Sequence, residues 1–135
     1  MENSRQEVQK EYAQMVLLAD DDMFIRGLIK SIVKPYAQIE TIADGSEVLE
    51  RYKEMRPAVV ILDIHLPGRS GLKICSDILA YDPDAYIVLV SGDSTKENVM
   101  RAKAQGARSF LTKPFHKGKL VNVIQKCSHL KKQYV

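Results

Sequence analysis

The sequence predicts an α/β fold in which five strands and five helices alternate around one parallel sheet. Three observations carry this expectation. Apolar strand-like runs and amphipathic helical patterns alternate from residue 15 to residue 130, which is the signature of successive βα units. The run Ala58-Val59-Val60-Ile61-Leu62 is apolar throughout and leads, through Asp63, to Pro67-Gly68, so it reads as a buried strand. The length of 135 residues is enough for one hydrophobic core and too short for two ordinary ones.

The elements follow in order. Met15-Val16-Leu17-Leu18-Ala19 is the first strand, and residues 1–14 stand outside the alternation as an N-terminal extension, a tail or a short turn capped by Ser4 and Glu7. Asp22 is expected to cap the first helix, in which Ile25, Leu28, Ile29, Ile32 and Val33 share one face. That helix ends before Pro35, since a proline disfavours helical geometry in the residue preceding it. Ile39 to Ile42 alternates as a short second strand. Asp44 and Glu47 have capping-box spacing and open a helix with Val48, Tyr52 and Met55 inward. After the Asp63 strand comes a helix from about Gly71, with Leu72, Cys75, Ile78 and Leu79 inward, then a fourth strand at Tyr86–Val90. Ser94 and Glu97 form a second capping box, opening a helix that ends at Gly106. Ala107 to Thr112 is the fifth strand, and the last helix carries Leu120, Val123, Ile124 and Cys127. Residues 15–130 are thus one domain, followed by a short tail at 131–135.

Composition narrows the function. The 45% apolar and 27% charged residues are ordinary for a soluble globular chain. No apolar stretch has the length of a membrane span, and the polar opening is not that of a signal peptide, so a cytoplasmic protein without a membrane role is expected. Cys75 and Cys127 lie far apart, each among apolar residues at helical spacing, which suits buried free thiols in a reducing compartment. The net charge of +3 conceals an asymmetry. All 17 acidic residues fall in residues 1–97, which carry −6, while residues 98–135 carry nine bases and no acid. Such a segment is either a solvated basic face or a docking surface for an acidic partner. Direct nucleic-acid binding is not expected, because aromatic interleaving and a DNA-binding motif are missing.

The chemistry gathers at the strand ends. Asp20 and Asp21 close the first strand, Asp63 the third, Ser91 the fourth and Lys113 the fifth. In a parallel sheet these ends share one edge, where open α/β sheets bind ligands. Clustered carboxylates repel unless a cation joins them. An oxygen donor set suits Mg²⁺, with Mn²⁺ able to substitute. A carboxylate left free to react is a nucleophile capable of forming an aspartyl phosphate, and Ser91 and Lys113 supply a hydroxyl and an ammonium for phosphoryl oxygens.

Four motifs in order carry a family likeness: Leu17-Leu18-Ala19-Asp20-Asp21, Ile61-Leu62-Asp63-Ile64-His65-Leu66-Pro67-Gly68, Val90-Ser91-Gly92 and Lys113-Pro114-Phe115. With them residues 15–130 resemble the receiver domain of two-component response regulators. The resemblance implies a flavodoxin-like doubly wound (βα)5 fold, strand order 2-1-3-4-5, with helices on both faces. It implies that Asp63 accepts a phosphoryl group from a sensor histidine kinase or a histidine phosphotransfer protein. Asp21 and Asp63 would ligate Mg²⁺, Asp20 largely through water, and His65 through its backbone carbonyl. Ser91 and Phe110 resemble the family's switch pair, Lys113 would pair with phosphoryl oxygens, and Lys113-Pro114 is expected to be cis. Residues 92–120 would then be read by a downstream protein. His65 and Asp93, each two residues beyond a site residue, are expected to tune phosphoryl lifetime. On this view the domain is no enzyme beyond its own phosphorylation and dephosphorylation.

Three readings compete. A phosphatase of the haloacid dehalogenase type carries D-x-D at its nucleophile, where this chain has Asp63-Ile64-His65. A flavodoxin-type electron carrier requires a Ser/Thr-rich phosphate loop after the first strand, which is missing. A receiver-like binding module without phosphorylation would have no need of the full set Asp20, Asp21, Asp63, Ser91 and Lys113.

Overall fold

The computed structural model describes residues 11–93 and 95–131. The expected turn at Ser4 and Glu7, the hydroxyl of Ser94 and residues 132–135 of the C-terminal tail lie outside the described residues. The elements run β1 (Ala13–Ala19), α1 (Met23–Val33), β2 (Gln38–Ile42), a 3₁₀ turn (Gly45–Glu47), α2 (Val48–Met55), β3 (Pro57–Asp63), α3 (Gly71–Tyr81), β4 (Ile87–Ser91), α4 (Lys96–Gln105), β5 (Ser109–Thr112) and α5 (Lys117–Gln125). All strand pairs are parallel and the order is β2-β1-β3-β4-β5. The expected fold class is the one found.

Strand alternation explains why the sheet is covered on both sides. Successive side chains point to opposite faces. Leu17, Ala19, Val60, Leu62, Ile87 and Leu89 therefore pack with Tyr52, Ile74, Cys75, Ile78 and Ala102 of α2, α3 and α4. Val16, Leu18, Val59, Ile61, Val88 and Val90 pack with Ile29, Ile32 and Val33 of α1 and with Leu120 and Ile124 of α5. Every residue of β3 is buried, as befits a central strand covered on both faces. Burying each of its larger aliphatic side chains stabilises the fold by about 1.5–3 kcal/mol.

Local differences from expectation have local causes. β1 begins two residues early, at Ala13, because Ala13 N–H donates to Arg56 O (2.8 Å). α1 is capped by Asp22, which accepts from the amides of Phe24 and Ile25, but Leu28 is 48% exposed because the buried face turns through Ile29, Ile32 and Val33. The Asp44–Glu47 box is replaced by a 3₁₀ turn, in which Asp44 Oδ1 accepts from the amide (2.8 Å) and hydroxyl (2.7 Å) of Ser46. α4 is capped by Thr95, accepting from Asn98 N–H, one residue beyond the expected Ser94–Glu97 box. α4 ends at Gly106 as expected. Ala107 N–H then closes on Ala102 O (3.1 Å), so Ala107 belongs to the cap and the fifth strand starts at Ser109, two residues later than expected. β4 is displaced by one residue toward its carboxyl end, which brings Ser91 into the ladder opposite Thr112. Cys75 and Cys127 are free and buried, and among the described residues no helix is long and apolar enough to cross a membrane.

Candidate functional site

The carboxyl ends of β1, β3 and β5 meet at one edge of the sheet. Asp63, the last residue of β3, pairs in register with Val90 of β4. Asp20 follows β1 directly. Ligand oxygens of Asp20, Asp21 and Asp63 all lie within 4.8 Å of one another. Lys113, just after β5, places its Nζ 2.8 Å from Asp20 Oδ2 and 3.2 Å from Asp63 Oδ2. Residues 42 to 93 positions apart in sequence are thus brought together by the topology alone.

The local backbone fixes each carboxylate. Asp20 Oδ1 accepts from Asp22 N–H (2.9 Å), while Arg26 reaches back from α1 to the Asp20 carbonyl (2.8 Å). Asp63 Oδ1 accepts from His65 N–H (3.0 Å). Gly71, at the start of α3, touches the end of β3 so closely that a Cβ there would stand 2.2 Å from Asp63 O. Gly68 holds φ at +84°, a left-handed conformation open to glycine without strain, and turns the loop from Asp63 back toward α3.

Electrostatics divide the three acids by burial. Asp20 is 1% exposed and Asp63 is also buried, whereas Asp21 is exposed. Burial lifts the Asp20 carboxyl above its usual range; Lys113 and the Asp22 amide oppose that, and the Asp63 charge adds to it. For Lys113, burial works to lower the pKa, but the carboxylates of Asp20 and Asp63 outweigh it and raise it, so the ammonium stays charged at neutral pH. The Lys113 contact with Asp20 Oδ2 is one of charge rather than a well-directed hydrogen bond, and this buried oxygen has no hydrogen-bond partner. An incompletely satisfied buried carboxylate oxygen beside two further carboxylates fits a hard divalent cation with oxygen ligands.

The other candidate residues are placed as follows. Ser91 is fully buried at the end of β4, and its Oγ accepts from Asp93 N–H (3.0 Å) rather than meeting a carboxylate. Phe110 lies opposite Leu89 and packs, partly buried, against the cluster on the α2–α4 side. The His65 ring is exposed, so its amide and not its imidazole touches Asp63. Lys113-Pro114 is cis. Gly71 and Arg26 escaped sequence reasoning as supports of the site. Gly71 was legible only as a helix start, and an arginine one turn into a helix gives no sign that it reaches back to a carbonyl.

The chain is similar to known proteins in sequence and in fold. Residues 16–125 match the family model described as "Response regulator receiver domain". The chain is 34% identical over 116 residues to the chemotaxis protein CheY of Listeria monocytogenes, covering 84% of this chain and 97% of that protein. It is 35% identical over 113 residues to the chemotaxis protein CheY of Halobacterium salinarum, covering 83% and 94%. Among solved structures, it is similar to the BeF3-activated receiver domain of DrrB from Thermotoga maritima, with a TM-score of 0.78, 27% identity, and coverage of 84% of this chain and 96% of that one.

Proposed function

The chain belongs to the response regulator receiver domain family of two-component signalling, and from that premise we propose that Asp63 is its phosphoacceptor, charged by a sensor histidine kinase or a histidine phosphotransfer protein. The observation that carries this reading is the convergence of Asp20, Asp21, Asp63 and Lys113 on one volume.

Asp63 attacks the phosphorus of the donor. The bond from phosphorus to the donor imidazole nitrogen breaks as the new phosphorus–oxygen bond forms, and the imidazole leaves with its electron pair. Asp20, Asp21 and Asp63, with the His65 carbonyl, would hold Mg²⁺ or Mn²⁺, which when bound neutralises charge on the transferring group. Lys113, charged and already beside Asp63, turns its ammonium to a phosphoryl oxygen. Met23 and Phe24, 78% and 85% exposed immediately beyond the acidic triplet, give the pocket an apolar rim of the kind a protein donor covers. The domain acts in the cytoplasm on this reading, and its chemistry is confined to gaining and losing its own phosphoryl group.

The new group adds roughly −1.5 to −2 charges at the site. It draws the Ser91 hydroxyl and Lys113 toward it, and Phe110 follows the space that Ser91 vacates. The consequence is a two-state shift of the face formed by α4, β5 and α5, whose Arg101, Lys103, Arg108, Lys117 and Lys119 are exposed, and a downstream protein reads it.

Incubation with acetyl phosphate and Mg²⁺, followed by intact mass measurement, tests the reading. One phosphoryl group per chain is expected, and none when a chelator removes the metal. Continuous hydrolysis of phosphate esters without a labelled intermediate would point to a phosphatase.

A further inference from the structure

A second site lies on the α1 side of the sheet, away from the acidic edge. It is a groove of about 980 Å³ between α1, the entrance to β2 and the segment after α5, near the upper end of the roughly 300–1,000 Å³ found for small-molecule pockets. Lys30, Lys34 and Lys131 line it, and no carboxylate does. Among the described residues no carboxylate pairs with any of the three ammonium groups. Lys30 on α1 and Lys34, the residue that caps its carboxyl end in helical geometry, stand four residues apart, hence on one face and about 6 Å apart along the axis.

Lys131 comes from the segment after α5, whose backbone is held in place. Its amide donates to Gln14 Oε1 (2.6 Å), and Gln14 Nε2 donates to the His129 carbonyl (3.0 Å), so the segment after α5 is tied to β1. The floor is equally fixed. Tyr36 and Ala37 N–H both donate to Val33 O (2.8 and 3.1 Å), and Tyr36, Ala37 and Ile39 are half-buried apolar lining. The three ammonium groups stand exposed around one cavity with an apolar lining, and their summed positive field favours an anion there. Because the lysines come from two separate segments that line one groove, an anion seated within the groove is favoured over an acidic chain lying across it.

We propose that this groove binds a small phosphate ester carrying a flat apolar body, of nucleotide type. The phosphates lie between the lysines of the two segments, and the apolar body rests on Tyr36 and Ile39.

The test is NMR titration of the full chain with ATP in metal-free buffer, which keeps the acidic pocket out of play. Adenosine, inorganic phosphate and a glutamate-rich peptide serve as comparison probes. Saturable shifts at the amides of Gly27, Ser31, Ala37, Gln38 and Lys131 are expected, stronger with ATP than with adenosine or phosphate alone. Lys30→Glu with Lys34→Glu, and separately Lys131→Gln, should weaken ATP binding by at least about tenfold while acetyl phosphate still labels the protein. Absence of saturable shifts overturns the proposal. So do shifts centred on Lys117–Lys126, or binding of the peptide without binding of ATP.

Discussion

Asp63 and Ser91 are held alike, each accepting a hydrogen bond from the amide two residues on, His65 and Asp93 respectively. These amides fix the acceptor and the hydroxyl, while the two side chains stand exposed beside the site. Replacing either side chain by alanine keeps the amide and removes only what screens the phosphoryl group from water. His65→Ala and Asp93→Ala are therefore expected to change aspartyl-phosphate lifetime by about three- to tenfold, roughly 0.6–1.4 kcal/mol of barrier, as read by label decay after the donor is removed. Unchanged half-lives in both variants would sink that role. The importance of Asp63 was legible in the sequence, since a carboxylate ending an apolar run must leave the core at the sheet's edge. That Asp20 Oδ2 is ion-paired yet without a hydrogen bond was not, because it depends on how a lysine 93 residues later approaches.

Element α3 links packing to chemistry through Gly71. Its Cα rests on the Asp63 carbonyl, so Gly71→Ala must push the end of β3 or the start of α3 away. A loss of about 1–3 kcal/mol in urea unfolding is expected, together with impaired phosphoryl labelling; full labelling at wild-type stability would contradict this. One turn further on, burial pushes the Cys75 thiol from its ordinary 9.0 up to about 11. The folded state then holds this proton more tightly than the unfolded chain. Its contribution is whole below about pH 9 and is lost as pH rises toward 11. Wild type should lose up to roughly 2–3 kcal/mol over that window that Cys75→Ala keeps, and equal losses in unfolding experiments would refute it. Helix caps show where sequence reading stops. Ser94 and Thr95 are adjacent hydroxyls, and only the helix start selects Thr95. Asp44 had the spacing of a capping box, but Ser46 offered an amide and a hydroxyl nearer by.

At the scale of the molecule, strand order brings three distant motifs, those of Asp20-Asp21, Asp63 and Lys113, to one pocket and leaves the acid-free segment 98–131 on the elements that follow β4. Alternation of strand and helix sufficed to foresee the sheet, and strand ends sufficed to foresee the acidic edge. The lysine groove was invisible beforehand, because Lys30 and Lys131, far apart in sequence, line one groove only in the folded chain. If the phosphoryl signal travels as proposed, a beryllofluoride mimic should shift backbone amide resonances across residues 92–120 as well as in the pocket; changes confined to the pocket would end the relay idea. The central claim concerns where the phosphoryl group resides. Acetyl phosphate labelling with Mg²⁺, borohydride reduction and peptide mapping locate it directly. The account predicts a single modified residue, Asp63, and no label in Asp63→Asn. Label on another residue, or label that survives in Asp63→Asn, would contradict it.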